Sequence, residues 1–171
     1  MSEELLDTNG VLRAGAIFQP SESTLLVFAQ RKDARVELAS WRQQAERYFD
    51  TTIGLTVNKR YETDFPAVDF ARVVVAKSAV AGGTRSAWSR PADETDWSRA
   101  EAAERASRMG GMCALARRCK QVWLIERESD DDPTSLLLAA ILASVLLGPI
   151  VIGEQIFGVR GARERLMRSS S

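Results

Sequence analysis

The chain has 171 residues, with 23 basic and 23 acidic side chains and no histidine. Without imidazole, the Ser-His-Asp and Cys-His hydrolases, the His-ligated zinc sites and the two-His-one-carboxylate irons are excluded. A formal net charge of zero argues against nucleic-acid binding through the overall field, and 45% hydrophobic with 27% charged residues suits a globular domain that builds its own core.

The length fits a single domain over 1–171. The segment Met1 to Asp7 is acidic and polar and lacks the basic and apolar regions of a secretory signal. Residues 1–10 and 169–171 are expected to be flexible ends. Residues 11–18 predict a short strand that ends before Pro20. The uncharged run Thr24 to Ala29 predicts a strand buried on both faces. Asp33 is placed to cap a helix reaching about Tyr48, in which Leu38, Trp41, Ala45, Tyr48 and Phe49 recur at spacings of three and four. Ile53, Leu55 and Val57 alternate with smaller or polar residues as in a half-buried strand. Phe70 to Ala76 is β-branched and predicts another strand.

From Lys77 to Trp97 the periodicity disappears, which predicts a loop of about 20 residues, longer than compact domains ordinarily carry without a function. Ser98 and Glu101 have capping-box spacing and predict the start of a helix with Ala102, Ala106, Met109, Cys113 and Ala116 along one stripe. Gly110-Gly111 either breaks that helix or admits a close neighbour. Gln121 to Glu126 predicts a strand. Asp132 as N-cap and Pro133 as first helical residue open a helix whose stretch 136–147 is apolar nearly all round, ended by Gly148-Pro149. Ile150 to Ile152 is a short apolar run, and Glu154 to Arg168 predicts a terminal helix weakened by Gly158 and Gly161.

The internal order β-α-β-β-α-β followed by two helices predicts an α/β (α+β) chain. Its expected form is a ferredoxin-like sheet with an extra N-terminal strand and a C-terminal helical extension over 133–168. An open doubly wound sheet is the competing arrangement.

Five features carry functional expectations. The uncharged run Pro133 to Gly153 spans 21 residues. It reads as a buried core helix, an interface helix or a membrane span over 134–152. The span is disfavoured, because the arginines beyond it would place the whole preceding domain outside without a signal peptide. An apolar helix left uncovered by its own chain would expose a large patch, so a homo-oligomer is expected, with Leu137 and Ile141 as contacts. In the 77–90 loop, Lys77, Gly82, Gly83, Thr84 and Arg85 form a candidate phosphate or anion site, although the Walker spacing is absent. Trp88, Arg90 and Trp97 are candidate partner contacts, since tryptophan and arginine are common at interface hot spots. The plainer alternative is a solvated loop whose tryptophans fold back on the core.

Asp130 and Asp131, with Glu126 and Glu128, are a weak cation candidate; favourable charge at a helix N-terminus explains them more simply. Cys113 has no imidazole base and lies on the apolar stripe, so it reads as an inert thiol. Cys113 and Cys119 point in different directions along a helix, which argues for a reduced, cytoplasmic chain without a disulfide. The arginines at 160, 163, 165 and 168 read mainly as a solvated face.

No catalytic residue, cofactor or metal is assigned. The leading expectation is a non-catalytic protein-interaction or assembly module, self-associating through the apolar C-terminal helix and the Trp/Arg loop. The alternatives are an enzyme or ligand-binding domain with an anion site in the 77–90 loop, and a membrane-anchored protein.

Overall fold

The uncharged run after residue 23 becomes β1 (Leu25–Ala29), an inner strand with all five residues buried. Leu25, Val27 and Ala29 enter one core while Leu26 and Phe28 enter a second core on the other side of the sheet. The structure is a computed structural model and describes residues 24–30, 37–61, 68–77, 82–108, 110–129 and 131–169. The expected strand at 11–18, the cap at Asp33 and the expected flexible ends lie outside the described residues, except Ser169, which ends the last helix.

After β1 come α1 (Leu38–Phe49), β2 (Thr52–Tyr61), β3 (Val68–Lys77), β4 (Gly83–Pro91), α2 (Glu94–Ser107) and α3 (Met112–Arg117). The chain continues with β5 (Gln121–Ile125), α4 (Pro133–Leu146), β6 (Leu147–Ile152), β7 (Gln155–Phe157) and α5 (Val159–Ser169). The strands form one open seven-stranded sheet in the order β2-β3-β4-β5-β1-β6-β7, and every ladder is antiparallel. The expected mixture of helices and strands holds. The ferredoxin-like order does not appear, because Gly83–Pro91 is a strand inserted between β3 and β5, and β6 and β7 extend the far edge. A doubly wound sheet would need parallel ladders.

The correction at β4 has a physical cause. Ala87 stands between Ala71 and Ile125, and Trp88 between Phe70 and Leu124, so the strand is central. Its remaining inward positions hold Arg85, Ser86, Ser89 and Arg90, all buried. Burying polar side chains on both faces erases the apolar alternation by which a strand is recognised. The following helix also starts earlier than Ser98. Asp93 and Asp96 form the capping box, and Asp96 is fully buried in an ion pair with Arg90, whereas Glu101 is partly exposed and pairs with Arg117 at 3.3 Å. The buried side of α2 consists of Ala100 and Ala103, leaving Ala102 and Ala106 on the exposed side. The helix stops at Arg108, which takes a left-handed conformation, and Gly111 at φ +90° opens α3.

Helix α4 is the centre of the larger core. It packs on β1 and β6 and is flanked by α1 and α5. Leu137 is 1% exposed and Leu138 and Ile141 are 0% exposed. Its apolar residues run all round because protein surrounds it. That corrects the expectation of a helix surface held for self-association. It also corrects the membrane span: α4 has 14 residues, about 21 Å at 1.5 Å per residue, against a hydrocarbon core of about 30 Å. Among the described residues, no helix is long and apolar enough to cross a membrane.

The chain leaves α4 at Leu147 (φ +63°) and enters β6 directly. A Cβ at Gly148 would lie 1.8 Å from the Phe28 carbonyl oxygen, so β6 can lie beside β1 at this point because the residue is glycine. Residues 133–168 are therefore not a helical extension: they supply the core helix and two strands of the sheet. The terminal helix expected from Glu154 begins at Val159, after β7.

Candidate functional site

β4 sends successive side chains to opposite faces of the sheet, and two of its arginines tie down helix ends on opposite sides. Toward the α4 layer, Arg85 donates from Nε and Nη2 to the two carboxylate oxygens of Asp132, both at 2.9 Å. Its Nη1 donates to the Thr84 carbonyl at 2.9 Å and lies 3.3 Å from the Glu128 carboxylate. Asp132 is the N-cap of α4. It also accepts from the Glu128 amide at 2.9 Å, the Ser135 hydroxyl at 2.8 Å and the Ser135 amide at 3.2 Å. Burial alone would raise the Asp132 pKa; the Arg85 guanidinium and these donors outweigh it and hold the carboxyl well below its usual range. The Asp132 hydrogen bond in turn raises the Arg85 pKa, against the opposing effect of burial.

Toward the other face, Arg90 donates from Nη1 and Nη2 to the oxygens of Asp96 at 2.7 and 2.9 Å. Asp96 also accepts from the Asp93 amide at 3.0 Å, closing the capping box of α2.

These staples fix where the expected site residues fall. Lys77 ends β3 opposite Thr52, and its side chain lies outside the described residues. Gly82 exchanges two hydrogen bonds with the Thr134 hydroxyl, donating its amide at 3.2 Å and accepting at 2.9 Å. Gly83 begins β4 at φ +124°, Thr84 is exposed, and Arg85 turns inward to Asp132. Trp88 is buried against Phe70 with ring centroids 5.2 Å apart, Arg90 is bound to Asp96, and Trp97 is half-buried against the smaller core. With Leu137 and Ile141 inside the larger core, none of the five expected partner contacts is exposed.

Asp130 lies outside the described residues and Asp131 is exposed. Among the described residues, no group of three or more Cys, Asp or Glu side chains is placed to hold a metal ion. Cys113 and Cys119 are buried and unpaired, and burial pushes the Cys119 thiol up to about 11. Of the C-terminal arginines, Arg165 lies 3.8 Å over the Phe157 ring and donates to Gln155 and to the Gly161 carbonyl.

The helices on the second face, α2 and α3, pack against β6 and β7. Over β2–β4 the same face carries an open groove of about 460 Å³. Thr56, Arg72, Thr84, Ser86, Glu126 and Glu128 line it, with Arg85 at its edge. Three of these stand in one row across the sheet. Arg72 pairs with Ser86, and the register that sets Ala87 opposite Ile125 sets Ser86 opposite Glu126, whose amide donates to the Ser86 carbonyl at 3.2 Å.

Ser86 is 4% exposed, and its hydroxyl makes no hydrogen bond to the described residues. A second hollow of about 360 Å³ near the start of α4 is lined by Arg127, Leu136, Ile152 and Arg165, among others. Its guanidinium at Arg165 is already bound within the chain. No family model, curated protein or solved structure matches the chain.

Of the groove residues, Thr84 and Arg85 belong to the expected anion site, and Glu126 and Glu128 to the expected cation site. Thr56, Arg72 and Ser86 are absent from the sequence expectations, and the other four are not read as one site for a definite reason. Thr84, Ser86, Trp88 and Arg90 share one face of β4, but that periodicity is visible only once the segment is read as a strand. Glu126 gains its position from being the residue just beyond β5, opposite Ser86.

Proposed function

We propose that the chain is a non-catalytic binding module that takes its partner in the groove over β2–β4 and not through helix α4. The observation that carries this reading is the groove itself: an open hollow of about 460 Å³ over β2–β4 with Arg72, Ser86 and Glu126 in one row across it. The groove volume falls in the range of recognition sites, about 300–1,000 Å³. Its walls offer hydroxyls and charges of both signs, which favours directional recognition over nonspecific apolar contact.

A catalytic role for Ser86 has less support. An activated serine needs a base in hydrogen-bond reach, and among the described residues no side chain makes such a contact with the Ser86 hydroxyl. Self-association through α4 is set aside because Leu137 and Ile141 have no exposed surface to offer. The Arg85–Asp132 staple supports the binding reading by fixing the start of β4, the strand that carries Thr84 and Ser86 of the groove.

The test is a saturation-transfer NMR screen of a chemically diverse fragment set, with mass spectrometry of the hits after prolonged incubation. The reading expects groove-directed hits that are recovered unchanged. An absence of hits in the groove would refute the binding claim. Protein-dependent conversion of a hit, lost in Glu126→Gln, would refute the non-catalytic claim.

A further inference from the structure

We draw no further inference here: the strongest candidate, the hollow of about 360 Å³ at the start of α4 with Arg127, Arg165 and Arg168 on its walls, carries nothing because these arginines already hold interactions of their own and nothing in the structure shows what would occupy it.

Discussion

Replacing Arg85 by methionine should reveal how strongly β4 holds the start of α4. The Arg85 and Asp132 side chains are 9% and 2% exposed. Removing the guanidinium leaves a buried carboxylate with the Ser135 and Glu128 donors but no countercharge. Breaking a buried pair from one side costs about 3–5 kcal/mol. For a domain of this size each kcal/mol moves Tm by about 2–4 °C, so the expected loss is about 6–20 °C.

Asp132→Asn should lose a comparable amount, because the cap survives in weakened form while the charge pair does not. The double variant should cost clearly less than the two single losses together, with a coupling toward the upper end of about 0.5–3 kcal/mol. The effect also has a pH signature. Asp132 titrates lower in the folded chain than in the unfolded one, so its contribution is complete above the unfolded carboxylate pKa of about 3.9 and fades as pH falls toward the folded value. Urea unfolding of wild type and Asp132→Asn should therefore show a gap that is constant from pH 7 to about 5 and narrows below about 4. A loss under about 1 kcal/mol in Arg85→Met, or a gap that ignores acidification, would refute the staple.

Arg90→Met should destabilise by a similar amount through Asp96. Its effect should add to that of Arg85→Met within about 0.5 kcal/mol, since the two positions lie about 16 Å apart along the strand; strong non-additivity in urea titrations would mean the two staples are not independent. Leu137→Asp should abolish cooperative unfolding in near-UV circular dichroism. A folded variant of altered oligomeric state would instead place this residue at an interface. Gly148→Ala should cost about 3 kcal/mol or more by calorimetry, because its methyl group meets backbone at Phe28, and a neutral result would contradict the approach of β6 to β1. Cys119 should resist alkylation at pH 8 in the native chain and react after denaturation, whereas rapid native labelling would contradict its burial.

Much of the fold was readable wherever one physical rule governed a segment. β1 announced itself as an uncharged run because both of its faces are buried. The start of α4 followed from Asp132 and Pro133, a cap and a residue that needs no amide partner. Of the two readings left open at Gly110-Gly111, a break between helices is the one found, and the apolar helix ends at Leu146, one residue before the expected end at Leu147.

Reading failed where long-range partners override local pattern. β4 looks like a loop because Arg85 and Arg90 are polar, yet each is buried against a carboxylate, 47 residues away in the case of Asp132 and 6 in the case of Asp96. For α4 the sequence left a buried core helix, an interface helix and a membrane span open, because nothing in its own composition states that α1, α5 and the sheet enclose it. The groove was illegible for a related reason: Arg72, Ser86 and Glu126 become neighbours only through strand register.

The most direct test of recognition over β2–β4 is the location of amide shifts when the fragment set is added to isotope-labelled full-length chain. Shifts concentrated at Thr56, Thr84, Ser86 and Glu126 are the predicted result. Shifts concentrated at Leu136 and Ile152, around the second hollow, with the groove amides unmoved, would contradict it.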